Sequence, residues 1–314
     1  MYTIKQPSEI IIGKNSVQKY DFLENSLLIT SSGAKKREWL SYLKIELKLI
    51  FDDVESNPSI DTIEKILEMY QNEKISSIIG LGGGSVLDVA KFVAYKLNKF
   101  KILIPTNFGS GSEVTRISVL KVNGKKKSFH DDRLIADVAI IDSNFIKNTP
   151  DEIKNYAAID ACAQCTEAYD SKLSNSYTKF FGKQAFDYLE NGILKDNDES
   201  LVIGSLFSGL SFGNASTTLG HALSYVYSNE GYAHGHALAY TTTVAHEFNK
   251  SIFYERFKKI IEKMKIPEIK LKGDLNQAAD LIMTDSKHID NNPTKITKNI
   301  ILKLLEKIND EQMF

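Results

Sequence analysis

Asp160, Gln164 and Glu167 are spaced so that, at about 100° per residue, they share one face of a helix, while Cys162 and Cys165 point to the other. Downstream, His221, His234 and His236 place half of the six histidines within sixteen residues. A carboxylate with clustered imidazoles is a reasonable donor set for Zn2+ or Fe2+, which take nitrogen and oxygen ligands. The Cys162-x-x-Cys165 pair reads as core packing, because a structural zinc needs four converging ligands and a redox pair needs its first cysteine at a helix start. His130, His246 and His288 stand outside any motif and read as surface or packing residues.

A second chemistry lies upstream. Gly82-Gly83-Gly84-Ser85 joins an apolar run to a helical pattern, and the free N–H groups and positive dipole end of a helix start favour a phosphate. The loop is also compatible with a tight structural turn, and it is not the G-x-G-x-x-G of ordinary dinucleotide folds. Another glycine-rich stretch, Pro105-Thr106-Asn107-Phe108-Gly109-Ser110-Gly111-Ser112-Glu113-Val114-Thr115, follows the next apolar run, where parallel sheets bind ligands. Asp88 reads either as support for the first glycine turn or as a first-turn acid favoured by the helix dipole. The arginines are Arg37, Arg116, Arg133 and Arg256, so bidentate recognition of an anion has few candidates.

Positioning these groups requires two kinds of scaffold. Apolar runs over 26–30, 47–51, 75–81, 100–104 and 138–141 alternate with helical patterns over 61–71 and 86–97, which predicts a parallel sheet with covering helices. Asn123-Gly124, between runs over 118–122 and 127–129, is a hairpin signal. From about Thr149 the strand-like alternation gives way to helices. The division predicts an α/β lobe over 1–148 and a helical lobe over 149–314, with the active site expected in the cleft. At 314 residues, 42% hydrophobic and 25% charged, the chain can build two cores, which excludes the disordered and disulfide-scaffold classes. A formal charge of −1 gives no global attraction to nucleic acid or an anionic membrane. With no signal-like start and no long apolar run, a cytoplasmic location is expected.

The two glycine loops and the histidine cluster together resemble the iron-containing (group III) alcohol dehydrogenases, relatives of glycerol dehydrogenase and dehydroquinate synthase. The family patterns GGGSxxDxAK and PTTxGTGSEVT are similar to residues 82–91 and 105–115, the second departing at Asn107 and Ser110. Asn292-Pro293 continues the resemblance toward the C-terminus. It implies a two-domain dehydroquinate-synthase-like fold, NADP or NAD as cofactor, a divalent metal (Fe2+ or Zn2+), a small aldehyde or alcohol as substrate, and a homodimer.

Carried onto this sequence, the resemblance implies that Gly83, Gly84 and Ser85 hold the pyrophosphate with Asp88 supporting the turn. Thr106, Asn107 and Ser110 would line the nicotinamide side, with Asn57 and Lys126 near the cofactor. For Lys126 a solvated hairpin charge is the competing reading. Asp160, His221 and His234 match three of four metal-ligand positions, Gln164 occupies the fourth, where the family has a histidine, and Tyr225 occupies a non-ligand histidine position near the substrate. Ser31 replaces the Asp that many NAD-using relatives carry after the first strand, and Lys35, Lys36 and Arg37 nearby either neutralise a 2′-phosphate, which would favour NADPH, or are a solvated basic helix start. Arg116, directly after Thr115, could clamp a carboxylate or phosphonate or pair with a structural acid such as Glu113 or Asp131. Short strings around Arg116, His221 and His234 look most like phosphonoacetaldehyde reductases. The competing functions are a carbacycle synthase or lyase like dehydroquinate synthase and a nucleotide-binding protein without catalysis.

Overall fold

A computed structural model describes residues 1–147 and 149–310. The chain divides into two compact units that change over between Lys147 and Thr149. The expected boundary residue, 148, lies outside the described residues.

The first unit is built on a parallel sheet of β1 (Glu9–Ile12), β2 (Leu27–Thr30), β3 (Leu49–Phe51), β4 (Ser77–Gly82), β5 (Phe100–Pro105) and, after a hairpin, a last strand (Val138–Ile141). The hairpin strands are β6 (Ile117–Val122) and β7 (Lys125–His130), so the last strand is β8. The order is β1-β8-β5-β4-β2-β3, which puts the all-buried runs LLIT, SIIGLG and VAII inside the sheet. Strands buried on both faces need continuous apolar sequence, which is why these were legible. β1 was not anticipated: its four residues EIII lie at an edge and are only half-buried.

Among the described residues three α-helices belong to this unit: α1 (Ser32–Lys36), α2 (Ile60–Met69) and α3 (Gly84–Leu97). Ser59 caps α2 by accepting the Thr62 N–H, and Ile63 and Ile66 turn into the core. Helix α3 starts directly at the glycine bend and buries everything from Val86 to Ala94, including Asp88 and Lys91. The β6–β7 hairpin closes through Asn123 and Gly124, both at positive φ (52° and 75°), as the primed turns of twisted hairpins require.

Among the described residues the second unit is helical: α4 (Asp151–Asp170), α5 (Ser176–Lys195), α6 (Asp198–Ala215), α7 (Leu219–Asn229), α8 (His234–Asn249), α9 (Tyr254–Met264), α10 (Leu275–Met283), α11 (Ser286–Asn291) and α12 (Lys298–Asn309). Helix α4 packs against α5, α6, α7 and α8, and its buried Ala158, Ala161, Ala163 and Ala168 permit close approach from several sides. Cys162 and Cys165 are also buried there, and burial pushes both thiols well above their usual range. They pack as core residues. No helix among the described residues is long and apolar enough to cross a membrane.

Candidate metal centre and nucleotide loops

In the helical unit, Asp160 on α4, His221 in the first turn of α7 and His234 at the start of α8 each offer one ligand atom, all within 4.8 Å of one another. Asp160 Oδ1 lies 3.7 Å from His221 Nε2 and 3.9 Å from His234 Nε2. One carboxylate and two imidazoles that converge this closely fit a divalent cation with room for an exogenous ligand. Gln164, one turn along α4, donates from Nε2 to Asp160 Oδ1 at 2.9 Å, while its Oε1 accepts from Ser208 at 3.3 Å. Its amide nitrogen, which is no metal donor, is the atom that meets Asp160.

Glu167 completes that face of α4. It is 1% exposed and lies with Oε2 2.6 Å from His221 Nδ1. Burial alone would raise its carboxyl and lower the imidazole; their attraction and hydrogen bond outweigh burial, so Glu167 is shifted down and His221 up. Tyr225 stacks on His234, with ring centroids 6.1 Å apart and planes 13° from parallel. His236 does not join the trio: Nε2 bonds the Pro267 carbonyl and the ring stacks on Tyr156. His246 is buried against Thr166 Oγ1, and burial lowers it to about 4.

Sequence reasoning missed His288. It is buried on α11, its Nδ1 is 2.6 Å from Asp285 Oδ2, and its ring stacks 6.3 Å from His221 and lies 5.9 Å from Tyr225. It packs, as one of the two expected readings had it, but beside the metal trio. The Asp285 to His288 spacing signals its contact with Asp285, but not its place beside the trio.

In the α/β unit the two glycine loops face each other. Thr106 N–H bonds the Gly82 carbonyl at 3.0 Å, and a Cβ on Gly84 would lie 3.1 Å from Ser110 Oγ. Asn107 Oδ1 is buried without a hydrogen-bond partner, a cost that a ligand's N–H or O–H donor would remove. Asn57, Ser85, Asp88 and Lys126 line one pocket of about 180 Å³ together with Lys121, and Asn57 N–H reaches Ser85 Oγ at 3.4 Å. A lysine-edged pocket at a helix start, with an unpaired polar atom in the adjoining loop, fits an anionic nucleotide.

Asp88 does more than either reading of the sequence expected. Its Oδ1 accepts from Ser112 Oγ at 2.6 Å and its Oδ2 from Val119 N–H at 2.9 Å. Its carbonyl accepts from Ser118 Oγ. Asp88 therefore fastens the second glycine loop and β6 to α3. Lys91, fully buried, donates to the carbonyls of Ser112 and Ile117.

Other expected contacts take a different form. Arg116 pairs with Asp132, Nη1 to Oδ1 3.0 Å, rather than with Glu113 or Asp131. Asp131 instead holds Arg133. The guanidinium is half-exposed and already engaged, because β6 and the turn after β7 bring residues 116 and 132 side by side. Ser31 precedes α1 as expected, but Lys35 is paired with Asp52 at 3.0 Å and Arg37 lies over the Trp39 ring.

Two family descriptions match the chain: iron-containing alcohol dehydrogenase over residues 7–143, and the C-terminal part of the Fe-containing alcohol dehydrogenase family over 154–272. A 4-hydroxybutyrate dehydrogenase of Clostridium kluyveri is 35% identical over 235 residues, covering 66% of this chain and 60% of that protein. A long-chain-alcohol dehydrogenase of Geobacillus thermodenitrificans is 32% identical, covering 60% of this chain and 56% of that protein. The chain thus spans less than two thirds of the length of these two relatives. A sulfoacetaldehyde reductase from Bifidobacterium kashiwanohense, solved with NAD+, superposes with a TM-score of 0.90 at 20% identity, covering 99% of this chain and 100% of that one. An iron-containing alcohol dehydrogenase from Thermotoga maritima superposes with a TM-score of 0.86 at 23% identity, covering 98% and 99%. At these identities the two structures speak for the fold.

Proposed function

Because the chain belongs to the iron-containing alcohol dehydrogenase family, whose members use NAD(P) and a divalent metal, we propose that it interconverts a small aldehyde and its alcohol with NAD(P)H. The convergence of Asp160, His221 and His234 within 4.8 Å carries this reading. A bound Zn2+ or Fe2+ supplies Lewis acidity toward a carbonyl or alcohol oxygen, and NAD(P)H supplies the hydride.

The chain's own groups do the positioning. Asp160 brings negative charge to the cation site and is steadied by Gln164. His221 and His234 would each offer a ring nitrogen to the cation from two helix starts, so helix packing sets their separation. Tyr225, whose ring stacks on His234, is assigned to orienting a substrate oxygen. In the other unit, Gly83, Gly84 and Ser85 offer helix-start N–H groups to the pyrophosphate. Thr106, Asn107 and Ser110 are assigned to the nicotinamide side, and Asn57 and Lys126 to the pocket flank.

The substrate we propose is a short aldehyde bearing an acid group, of the phosphonoacetaldehyde kind. The names of two similar proteins, 4-hydroxybutyrate dehydrogenase and sulfoacetaldehyde reductase, support an anionic substrate. Arg116 is the weaker part of this reading, since an incoming anion must compete with Asp132.

Reduced-nicotinamide absorbance with paired anionic and neutral aldehydes of equal length is the test. Faster turnover of the anionic member supports the proposal, and a selective rise in its KM on Arg116→Ala assigns the clamp. Equal rates reject the anionic preference. In metal-loaded protein, no net NAD(P)H consumption with any aldehyde and no NAD(P)H formation from NAD(P)+ with any alcohol rejects the dehydrogenase reading in favour of a carbacycle synthase or a non-catalytic protein.

A further inference from the structure

We propose that Glu167 is a positioning residue that decides which ring nitrogen of His221 is offered to the metal. The inference rests on Asp160, His221 and His234 being the ligands. His221 faces Glu167 with Nδ1, at 2.6 Å from Oε2, and faces Asp160 with Nε2, at 3.7 Å. A neutral imidazole carries its proton on one nitrogen and its lone pair on the other. An ionised carboxylate only accepts hydrogen bonds, so Glu167 fixes the proton on Nδ1 and leaves the lone pair on Nε2, the nitrogen that converges with the other ligand atoms.

Glu167 is itself fixed by the start of α7. Its Oε2 accepts the Thr218 N–H at 3.1 Å and its Oε1 accepts the Gly220 N–H. Thr218 provides no side-chain cap for α7, so a carboxylate from α4 takes that place. The approach requires glycine at 220, because a Cβ there would lie 2.6 Å from Glu167 Oε1 and 2.9 Å from Thr242 Cα. All three partners of Glu167 present donors. The carboxylate thus ties the helix that carries His221 and the tautomer of His221 to one group.

Glutamine has the same shape but cannot satisfy three donors. If its NH2 turns toward His221, the proton moves to Nε2 and the lone pair leaves the metal side. If it turns toward α7, a donor meets backbone donors. Glu167→Asp remains acceptor-only and so preserves the tautomer at a longer reach.

The test measures Zn2+ affinity of the chelator-stripped full chain by competition with a chromophoric chelator, in wild type, His221→Ala, Glu167→Gln and Glu167→Asp, with circular dichroism as a check on folding. The expected result is loss of the site in His221→Ala, weakening of about 10–100-fold in Glu167→Gln, and partial recovery in Glu167→Asp. Wild-type affinity in Glu167→Gln overturns the inference while a null His221→Ala upholds the ligands. Wild-type affinity in His221→Ala overturns the ligand reading itself. Long-range proton–nitrogen NMR of the zinc-loaded wild type decides the matter even if Glu167→Gln does not fold. A proton on Nδ1 with zinc on Nε2 supports the inference, and the reverse overturns it.

Discussion

Asp88 and Lys91 form a buried ion pair, Oδ1 to Nζ 3.1 Å, in the first turns of the helix that begins at Gly84. Lys91 is 0% exposed, and between them the two side chains hold four partners: Ser112 Oγ, Val119 N–H and the carbonyls of Ser112 and Ile117. The second glycine loop and the start of β6 thereby depend on one pair. Lys91→Met leaves Asp88 without its cation in a dry setting, where breaking a buried pair costs about 3–5 kcal/mol. Urea unfolding is expected to show a loss of that order. Where the variant still folds, nucleotide KM should rise more than kcat falls. Wild-type stability would show that the pair is dispensable.

At the metal centre, Asp160→Ala, His221→Ala and His234→Ala are each expected to abolish metal retention and activity. Gln164→Ala should retain measurable metal, because the atom that meets Asp160 is the amide nitrogen, which is no metal ligand. Gln164→His should tighten binding by adding an imidazole on the same helix face. Elemental analysis of the dialysed variants reads all five. Metal lost from Gln164→Ala to the same degree as from His221→Ala would make Gln164 a ligand.

For the cofactor, NADPH is expected to have the higher kcat/KM. Ser31 brings no carboxylate against a 2′-phosphate, and the Lys35–Asp52 pair is exposed and therefore cheap to open, at up to about 1 kcal/mol. Ser31→Asp should move the preference toward NADH. A clear preference of the wild type for NADH counts against this assignment.

Asp170 supplies a pH dependence. Burial, reinforced by the nearby Glu167 charge, raises its carboxyl from 3.8 to about 6, and its Oδ2 is buried without a partner. A carboxyl raised in the fold favours the protonated state, so its contribution to stability is present below about pH 4 and is lost as pH rises through about 6. The loss is on the order of 2 kcal/mol after allowing for partial exposure. Asp170→Asn should therefore gain on wild type between pH 4 and 7 in thermal unfolding. Parallel pH profiles would show that Asp170 ionises normally.

Much of this was written locally in the chain. A glycine bend between a continuous apolar run and a helical period fixes a strand, a turn and a helix start without reference to anything distant, and residues 77–97 form those elements. Asn123-Gly124 likewise closes its hairpin through local φ preference. The spacing of Asp160, Gln164 and Glu167 placed them on one helix face, because helical periodicity is a short-range property.

What those side chains meet was decided elsewhere. Glu167 faces His221 only because α7 packs on α4 closely enough to need glycine at 220. His288 reaches the metal trio through the packing of α11 against α7, and no pattern near residue 288 encodes that neighbour. Arg116 could have paired with several acids, and the fold selected Asp132 by setting the end of β7 beside the start of β6. Residue types and short spacings determine which groups are available and which face of an element they occupy. Long-range packing determines which of them come within a few ångströms, because that distance depends on the whole path of the chain between them.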